Sequence, residues 1–131
     1  MIERLRLAGK LPEPISHYTD AVRADNTVWI SGLLPLDANG NLVGGNDAEA
    51  QAEQVLDNLE LVLDATKASF ADVVKVGIYL RRIGDREAIN HARQRRFGDA
   101  RPASTLVEVS ALAHPEALLE IDAVAHVPTS S

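Results

Sequence analysis

The chain has 131 residues, of which 46% are hydrophobic, so it is long enough to fold as one domain around a buried core. It contains no cysteine, which excludes disulfides, thiolate zinc sites and a cysteine nucleophile. Its net charge of −6 and its 4% aromatic content argue against nucleic-acid binding, and no apolar run is long enough to span a membrane.

The N-terminal segment 1–5 alternates charged and apolar side chains and has no hydrophobic signal-peptide region. No linker, internal repeat or low-complexity segment interrupts the chain. We therefore expect a cytoplasmic protein that folds as a single domain over residues 1–131.

Two short strands joined by a tight turn are predicted near the N-terminus, over residues 20–25 and 26–31. In the second strand, Val28 and Ile30 lie on the opposite face from Trp29. This period of two indicates a strand rather than a helix.

The first helix is predicted to begin at Asn46, which is a suitable N-cap, and Glu49 three residues later would complete a capping box. The residues that follow at helical spacing form one packing stripe: Ala52, Val55, Leu56, Leu59, Val62, Leu63 and Thr66. The opposite face carries acidic residues that we expect to be solvated: Glu53, Asp57, Glu60 and Asp64.

The clearest strand covers residues 72–82, and its alternate apolar residues are expected to share one face: Val74, Val76, Ile78 and Leu80. A second helix is predicted from Asp85 to about Phe97, with three inward-facing residues: Ile89, Ala92 and Phe97. Its basic residues are expected to be solvated: Arg93, Arg95 and Arg96. Pro102 ends this region.

Two final strands are predicted, over about 105–109 and 118–126. The order strands, helix, strand, helix, strands predicts an α+β fold, with two helices packed on one face of a mixed sheet. In the last strand, four apolar residues suit the helix-covered face: Leu119, Ile121, Ala123 and Ala125. The other face is half apolar and half acidic, so we expect another subunit to cover it.

Several short motifs occur in a specific order: Trp29-Ile30-Ser31-Gly32, Asp72-Val73-Val74-Lys75, Asn90, and the segments 101–109 and 119–125. Together they resemble the RidA (YjgF) family of deaminases, which hydrolyse enamines and imines released by amino-acid metabolism. The resemblance covers residues 17–127. It implies a RidA/chorismate-mutase-like fold, a homotrimer with clefts between subunits, a small-molecule substrate, no cofactor, and a role in metabolite damage control or catabolism.

The resemblance also implies the residues of the site. The substrate-binding residues that match the family's pattern are Tyr18, Ser31, Gly32 and Asn90, and a glutamate of the last strand matches Glu120. Ser104 stands where the deaminating members carry the arginine that holds the substrate carboxylate, and Thr105 follows it. We therefore also expect Arg101, Ser104 and Thr105 to contact the substrate.

Glu120 is the predicted catalytic residue. Imine hydrolysis requires water to add to the carbon of the C=N bond and a proton for the departing nitrogen. A carboxyl group in a partly desolvated cleft can transfer that proton, since burial raises its pKa toward the working range. Asp122, two residues along the same strand face, would raise the pKa of Glu120 further by like-charge repulsion.

Ser104 leaves two interpretations of substrate binding. An arginine grips a carboxylate through two charge-assisted hydrogen bonds, whereas a serine offers one neutral contact. In the first interpretation, another cation replaces the missing arginine, and the candidates are Arg101 and the arginines of the second helix. In the second, the substrate differs from the usual small 2-imino acids.

Two functions follow from these interpretations. The first is a cofactor-independent hydrolytic deaminase acting on a C=N bond, and the second is a trimer that binds or senses a small metabolite without turnover. The four histidines show no metal-binding spacing, and the glycine-rich segment 40–45 lacks the lysine of a phosphate loop, so we predict no metal and no nucleotide. Ribonuclease activity, once described for some family members, is disfavoured by the acidic charge.

Overall fold

The computed structural model describes residues 1–128, which form a six-stranded β-sheet, two α-helices and two short 3₁₀-helices (Phe70–Asp72 and Ile83–Asp85). The strands are β1 (Ile2–Leu5), β2 (Ala21–Ala24), β3 (Thr27–Leu33), β4 (Val73–Leu80), β5 (Ala103–Glu108) and β6 (Leu119–His126). The helices are α1 (Ala48–Ala65) and α2 (Arg86–Phe97). The strand order is β1-β2-β3-β6-β4-β5, and β4 and β5 run parallel while the other neighbours run antiparallel. The predicted α+β fold with a mixed sheet is confirmed.

The apolar stripe of α1 packs on one face of the sheet and forms most of the core. All seven residues predicted for this stripe are buried. The helix begins one residue later than predicted, because the N-cap is Asp47, whose Oδ1 accepts a 3.1 Å hydrogen bond from the Ala50 N–H. The predicted cap, Asn46, lies in the loop before it.

Ion pairs between the two helices correct the expectation of a fully solvated acidic face. Arg95 Nη2 lies 2.8 Å from both Glu49 Oε2 and Glu53 Oε2, and Arg96 pairs with Asp57. Glu53 and Asp57 therefore join α1 to α2. The predicted inward residues of α2 are confirmed as buried: Ile89, Ala92 and Phe97.

The last strand, β6, separates the two faces of the sheet as predicted. Its odd-numbered residues are buried beneath the helices: Leu119, Ile121, Ala123 and Ala125. Its even-numbered residues lie on the opposite side, here called the open face, where Glu120, Asp122 and Val124 are partly exposed.

A β-bulge in β4 makes the prediction for Val74 wrong. Val73 pairs with Ala125 and Lys75 with Val124, so β4 carries one extra residue at this point. The bulge buries Val73 and leaves Val74 50% exposed, whereas the rest of the predicted face is buried.

Candidate functional site

A second β-bulge, in β3, forms the floor of the candidate site. Ile30 pairs with Ala123 and Leu33 pairs with Ile121, so three steps along β3 match two steps along β6. The extra residue brings Ser31 and Gly32 beside Glu120. A Cβ on Gly32 would lie 2.0 Å from Glu120 Oε2, so the carboxylate occupies the space that any other side chain would fill.

Hydrogen bonds from the sheet hold the N-terminal loop above this floor. Ser31 Oγ donates a 2.6 Å hydrogen bond to the Thr19 carbonyl, and Ser31 N donates to the Asp20 carbonyl. The buried Asp20 carboxylate accepts from Arg6 Nη1 at 2.8 Å and from Leu7 N at 2.7 Å. These bonds fix the loop that carries Tyr18 at the edge of the site.

The structure thus brings four of the predicted site residues together. Tyr18, Ser31, Gly32 and Glu120 line a cleft of 320 Å³. We call it the carboxylate cleft, and its remaining walls are Ile15, Ser16, Leu34 and Ala113. Sequence reasoning missed these four, because they lie in irregular segments that carry no periodic signal.

Glu120 is half-buried, and this burial raises the pKa of its carboxyl group; the negative charge of Asp122 raises the pKa further. Asp122 itself accepts a 2.9 Å hydrogen bond from the Tyr79 hydroxyl, and a Cβ on Gly77 would lie 2.5 Å from its Oδ1. No arginine, lysine or histidine among residues 1–128 lines the carboxylate cleft. A partly desolvated carboxyl group with a raised pKa and no cationic partner is suited to accept and return a proton.

Asn90 and Arg101 lie in a different depression, of 350 Å³, beside the C-terminal half of α2. We call it the arginine pocket, and its lining is Asn90, Arg93, Gln94, Phe97, Gly98, Arg101 and Pro102. It forms because α2 ends at Gly98, where a φ of 58° turns the chain back toward β5.

Arg93 is half-buried in the arginine pocket, and burial lowers the pKa of its guanidinium. Its Nη1 donates a long, 3.5 Å hydrogen bond to Asn90 Oδ1. Within residues 1–128, no carboxylate forms an ion pair with Arg93, although Arg95 and Arg96 on the same helix are both paired.

Ser104 and Thr105 lie on the edge strand β5, and neither lines either depression. Ser104 pairs with the buried Val76, so it lies on the helix side of the sheet, as the arginine pocket does. Thr105 pairs with Gly77 on the open face, and its Oγ1 accepts a 2.7 Å hydrogen bond from Lys75 Nζ.

Two buried amides of α1 hold the loops around the carboxylate cleft. Asn58 Nδ2 donates to the carbonyls of Leu34 and Leu36 at 3.0 and 2.9 Å. Gln51 Nε2 donates to the Glu116 carbonyl at 3.2 Å, and its Oε1 accepts from Leu118 N at 2.8 Å. Polar residues on the apolar stripe of a helix are the sequence signal for such loop anchors.

Across residues 1–128, no three histidine, aspartate or glutamate side chains cluster closely enough to hold a metal ion. Neither helix in this range combines the length and apolar character needed to cross a bilayer.

Known proteins resemble this chain over almost its whole length. The family model described as Endoribonuclease L-PSP matches residues 8–127. A protein of Acinetobacter baylyi named 3-aminoacrylate deaminase RutC is 42% identical over 127 residues, which cover 97% of this chain and 100% of that protein. The crystal structure of RidA from an Antarctic Psychrobacter has a TM-score of 0.84 and 33% identity, covering 90% of this chain and 94% of that one. A Mycobacterium tuberculosis member of the YjgF/YER057c/UK114 family has a TM-score of 0.81 and 31% identity, covering 97% and 100%. The chain therefore belongs to the RidA (YjgF) family.

Proposed function

We propose that this protein is a cofactor-independent hydrolytic deaminase of an enamine or imine, with Glu120 as its proton-transfer group. The observation that carries the proposal is the position of the Glu120 carboxylate, which lies over Gly32, half-buried and without a cationic partner in the described chain. The name of the Acinetobacter relative, a 3-aminoacrylate deaminase, supports the same reaction class.

The reaction balances without a cofactor. An enamine first tautomerises to an imine, because its carbon gains a proton while its nitrogen loses one. The oxygen of water then adds to the carbon of the C=N bond while Glu120 accepts a proton from that water. Glu120 returns that proton to nitrogen to give a carbinolamine. It then moves the remaining hydroxyl proton to nitrogen, so that the C–N bond breaks, ammonia leaves and a C=O bond forms. The raised pKa of Glu120 suits both transfers, because proton exchange is most efficient when the pKa of the group lies near the working pH.

We place the complete site in a cleft between the subunits of a homotrimer. The carboxylate cleft includes Glu120 of the open face, whereas the arginine pocket lies on the helix side beside β5. A neighbouring subunit is needed to bring the two together. Apolar side chains exposed on the open face support such packing, since Trp29 is 54% and Val107 41% exposed.

The substrate is a small metabolite whose carboxylate is held differently from that of the usual small 2-imino acids. Ser104 offers one neutral hydrogen bond where an arginine would offer two charge-assisted ones. The net charge of −6 opposes RNA as the substrate.

Ammonia release is the direct test. We would assay 3-aminoacrylate and 2-iminobutanoate, the latter generated in situ by an amino-acid dehydratase, with the wild type, Glu120→Gln and Ser104→Arg. We expect Glu120→Gln to lose about 10²–10⁴-fold of the turnover, the range typical of general acid–base groups. We expect Ser104→Arg to improve turnover of 2-iminobutanoate. Equal rates for the wild type and Glu120→Gln would contradict the role of Glu120.

A second candidate is a trimer that binds a metabolite without turnover. The observation that favours it is Ser104, which removes the cation expected at the site. In that case Glu120→Gln would retain ligand binding, and the wild type would release no ammonia above the spontaneous rate.

A further inference from the structure

The arginine pocket contains a positive charge that the described protein does not use. Arg95 and Arg96 are both paired with carboxylates of α1. Arg93, on the same helix, is half-buried, and among residues 1–128 its side chain forms a hydrogen bond only with Asn90, at 3.5 Å. Removing an arginine from water without an opposite charge costs free energy, and a bound anion offsets that cost.

The groups around Arg93 complete an anion-binding arrangement. Arg101, which also lines the pocket, is exposed and has no ion pair with residues 1–128, so it adds a second positive charge. Because Asn90 Oδ1 accepts from Arg93, the Asn90 amide nitrogen is left to donate. Phe97 supplies an apolar wall, and the depression of 350 Å³ is large enough for a small organic acid.

We propose that Arg93, assisted by Arg101 and Asn90, binds the carboxylate of the substrate in this chain. The inference rests on the proposed function, in which the cleft between subunits combines the arginine pocket with Glu120. It assigns the carboxylate anchor to α2, on the side of the sheet where Ser104 lies, and not to β5. The ligand class is a small carboxylate bearing an enamine or imine group.

Binding of a stable product analogue tests this assignment independently of turnover. The probe is 2-oxobutanoate, the keto acid that imine hydrolysis would release, and 2-butanone is its neutral counterpart. NMR titration of the ¹⁵N-labelled protein measures the affinity and follows the arginine side-chain signals. We expect Arg93→Gln to weaken 2-oxobutanoate binding about tenfold or more, because it removes charge-assisted hydrogen bonds. The affinity for 2-butanone should not change.

Arg86→Gln is the matched control, since Arg86 is an exposed arginine at the start of the same helix and the charge change is identical. Arg93→Lys retains the charge but not the planar fork, and should bind with intermediate affinity. In the Arg93→Gln background, Ser104→Arg should restore binding.

The outcomes separate this inference from the deaminase proposal. Equal affinities of the wild type and Arg93→Gln, or no binding of 2-oxobutanoate to the wild type, would overturn the anchor even if ammonia is released. If Arg93→Gln loses binding of 2-oxobutanoate and Arg86→Gln retains it, the result would support the anchor even if no ammonia is released. The protein would then be a carboxylate-binding trimer.

Discussion

The carboxylate cleft and the arginine pocket carry opposite charges, yet they share one property: each contains a half-buried charged group without an opposite charge from residues 1–128. Other charged groups of the same chain are compensated by an opposite charge. Asp20 is paired with Arg6, and Arg95 with Glu53. Charges that a fold leaves uncompensated are concentrated at functional sites, because a ligand or a proton supplies what the protein does not.

The two regions also differ in how the backbone provides space, for the Glu120 carboxylate in one and for the pocket around Arg93 in the other. In the carboxylate cleft, Gly32 of β3 lies beneath Glu120. On the other side of β6, Gly77 of β4 lies beneath Asp122, so the strands that flank β6 each lack the side chain that would displace one of its carboxylates. The arginine pocket instead depends on the end of α2 at Gly98. A small change in the packing of the strands should therefore reduce proton transfer by Glu120 more than it reduces carboxylate binding in the arginine pocket.

After Glu120→Gln itself, Gly32→Ala should have the largest effect on turnover, and it should act mainly on the carboxylate cleft. Its Cβ would meet Glu120 Oε2 at 2.0 Å, and the flexible carboxylate would have to move away. A misplacement of this size can reduce turnover about 10²-fold. Ammonia release measures the loss, and the affinity for 2-oxobutanoate should fall much less than turnover does.

Gly84→Ala is the control for that substitution. Gly84 has no heavy atom within 4 Å of an added Cβ, so the variant should behave as the wild type. If Gly32→Ala retains full turnover, the close approach of Glu120 to β3 is irrelevant to the chemistry.

Glu120→Gln should also change the stability of the fold, with an increase in the free energy of unfolding that depends on pH. Burial and the charge of Asp122 raise the pKa of Glu120 above its ordinary value of 4.5, so the folded state binds this proton more tightly than the unfolded state. The resulting stabilisation is fully present below pH 4.5 and is lost as the pH rises through the raised pKa. At neutral pH the charged Glu120 therefore destabilises the fold, and a neutral glutamine should not.

Urea unfolding at one fixed protein concentration, near pH 4 and at pH 7, measures this difference. Glu120→Gln should match the wild type near pH 4 and exceed its free energy of unfolding at pH 7. Glu60→Gln, which removes a carboxylate from an exposed position of α1, should show no such divergence. A Glu120→Gln variant that is less stable at pH 7 would show that Glu120 has a stabilising partner.

Most of the fold could be predicted because it follows local periodicity. The stripe of α1 and the alternation of β6 are strong signals, and both are buried as predicted. The sequence patterns do not predict β1, because its residues are mostly exposed and only its pairing with β2 defines it as a strand. The bulge that exposes Val74 also escapes prediction, since an inserted residue changes the face without changing the apolar pattern.

The candidate site could be predicted only in part. The resemblance supplied Tyr18 and Glu120, and the chain folds them into one cleft. Residues 12–19 form no helix or strand, so the position of Tyr18 depends on the bonds of Asp20 and Ser31. Whether an arginine forms an ion pair likewise depends on how the helices pack against each other. The periodicity of the sequence alone therefore did not distinguish Arg93 from Arg95.

That pair of arginines provides the smallest expected effect. Arg95→Gln should lower the free energy of unfolding slightly, because it removes exposed ion pairs to Glu49 and Glu53. Arg93→Gln should cause no such loss, because the half-buried guanidinium of Arg93 has no ion pair among the described residues and bears a desolvation cost. Urea unfolding without added anion tests both variants, and adding 2-oxobutanoate should stabilise the wild type and Arg95→Gln but not Arg93→Gln. If Arg93→Gln is as destabilised as Arg95→Gln without ligand, then Arg93 is a structural residue and the contrast between the two arginines is wrong.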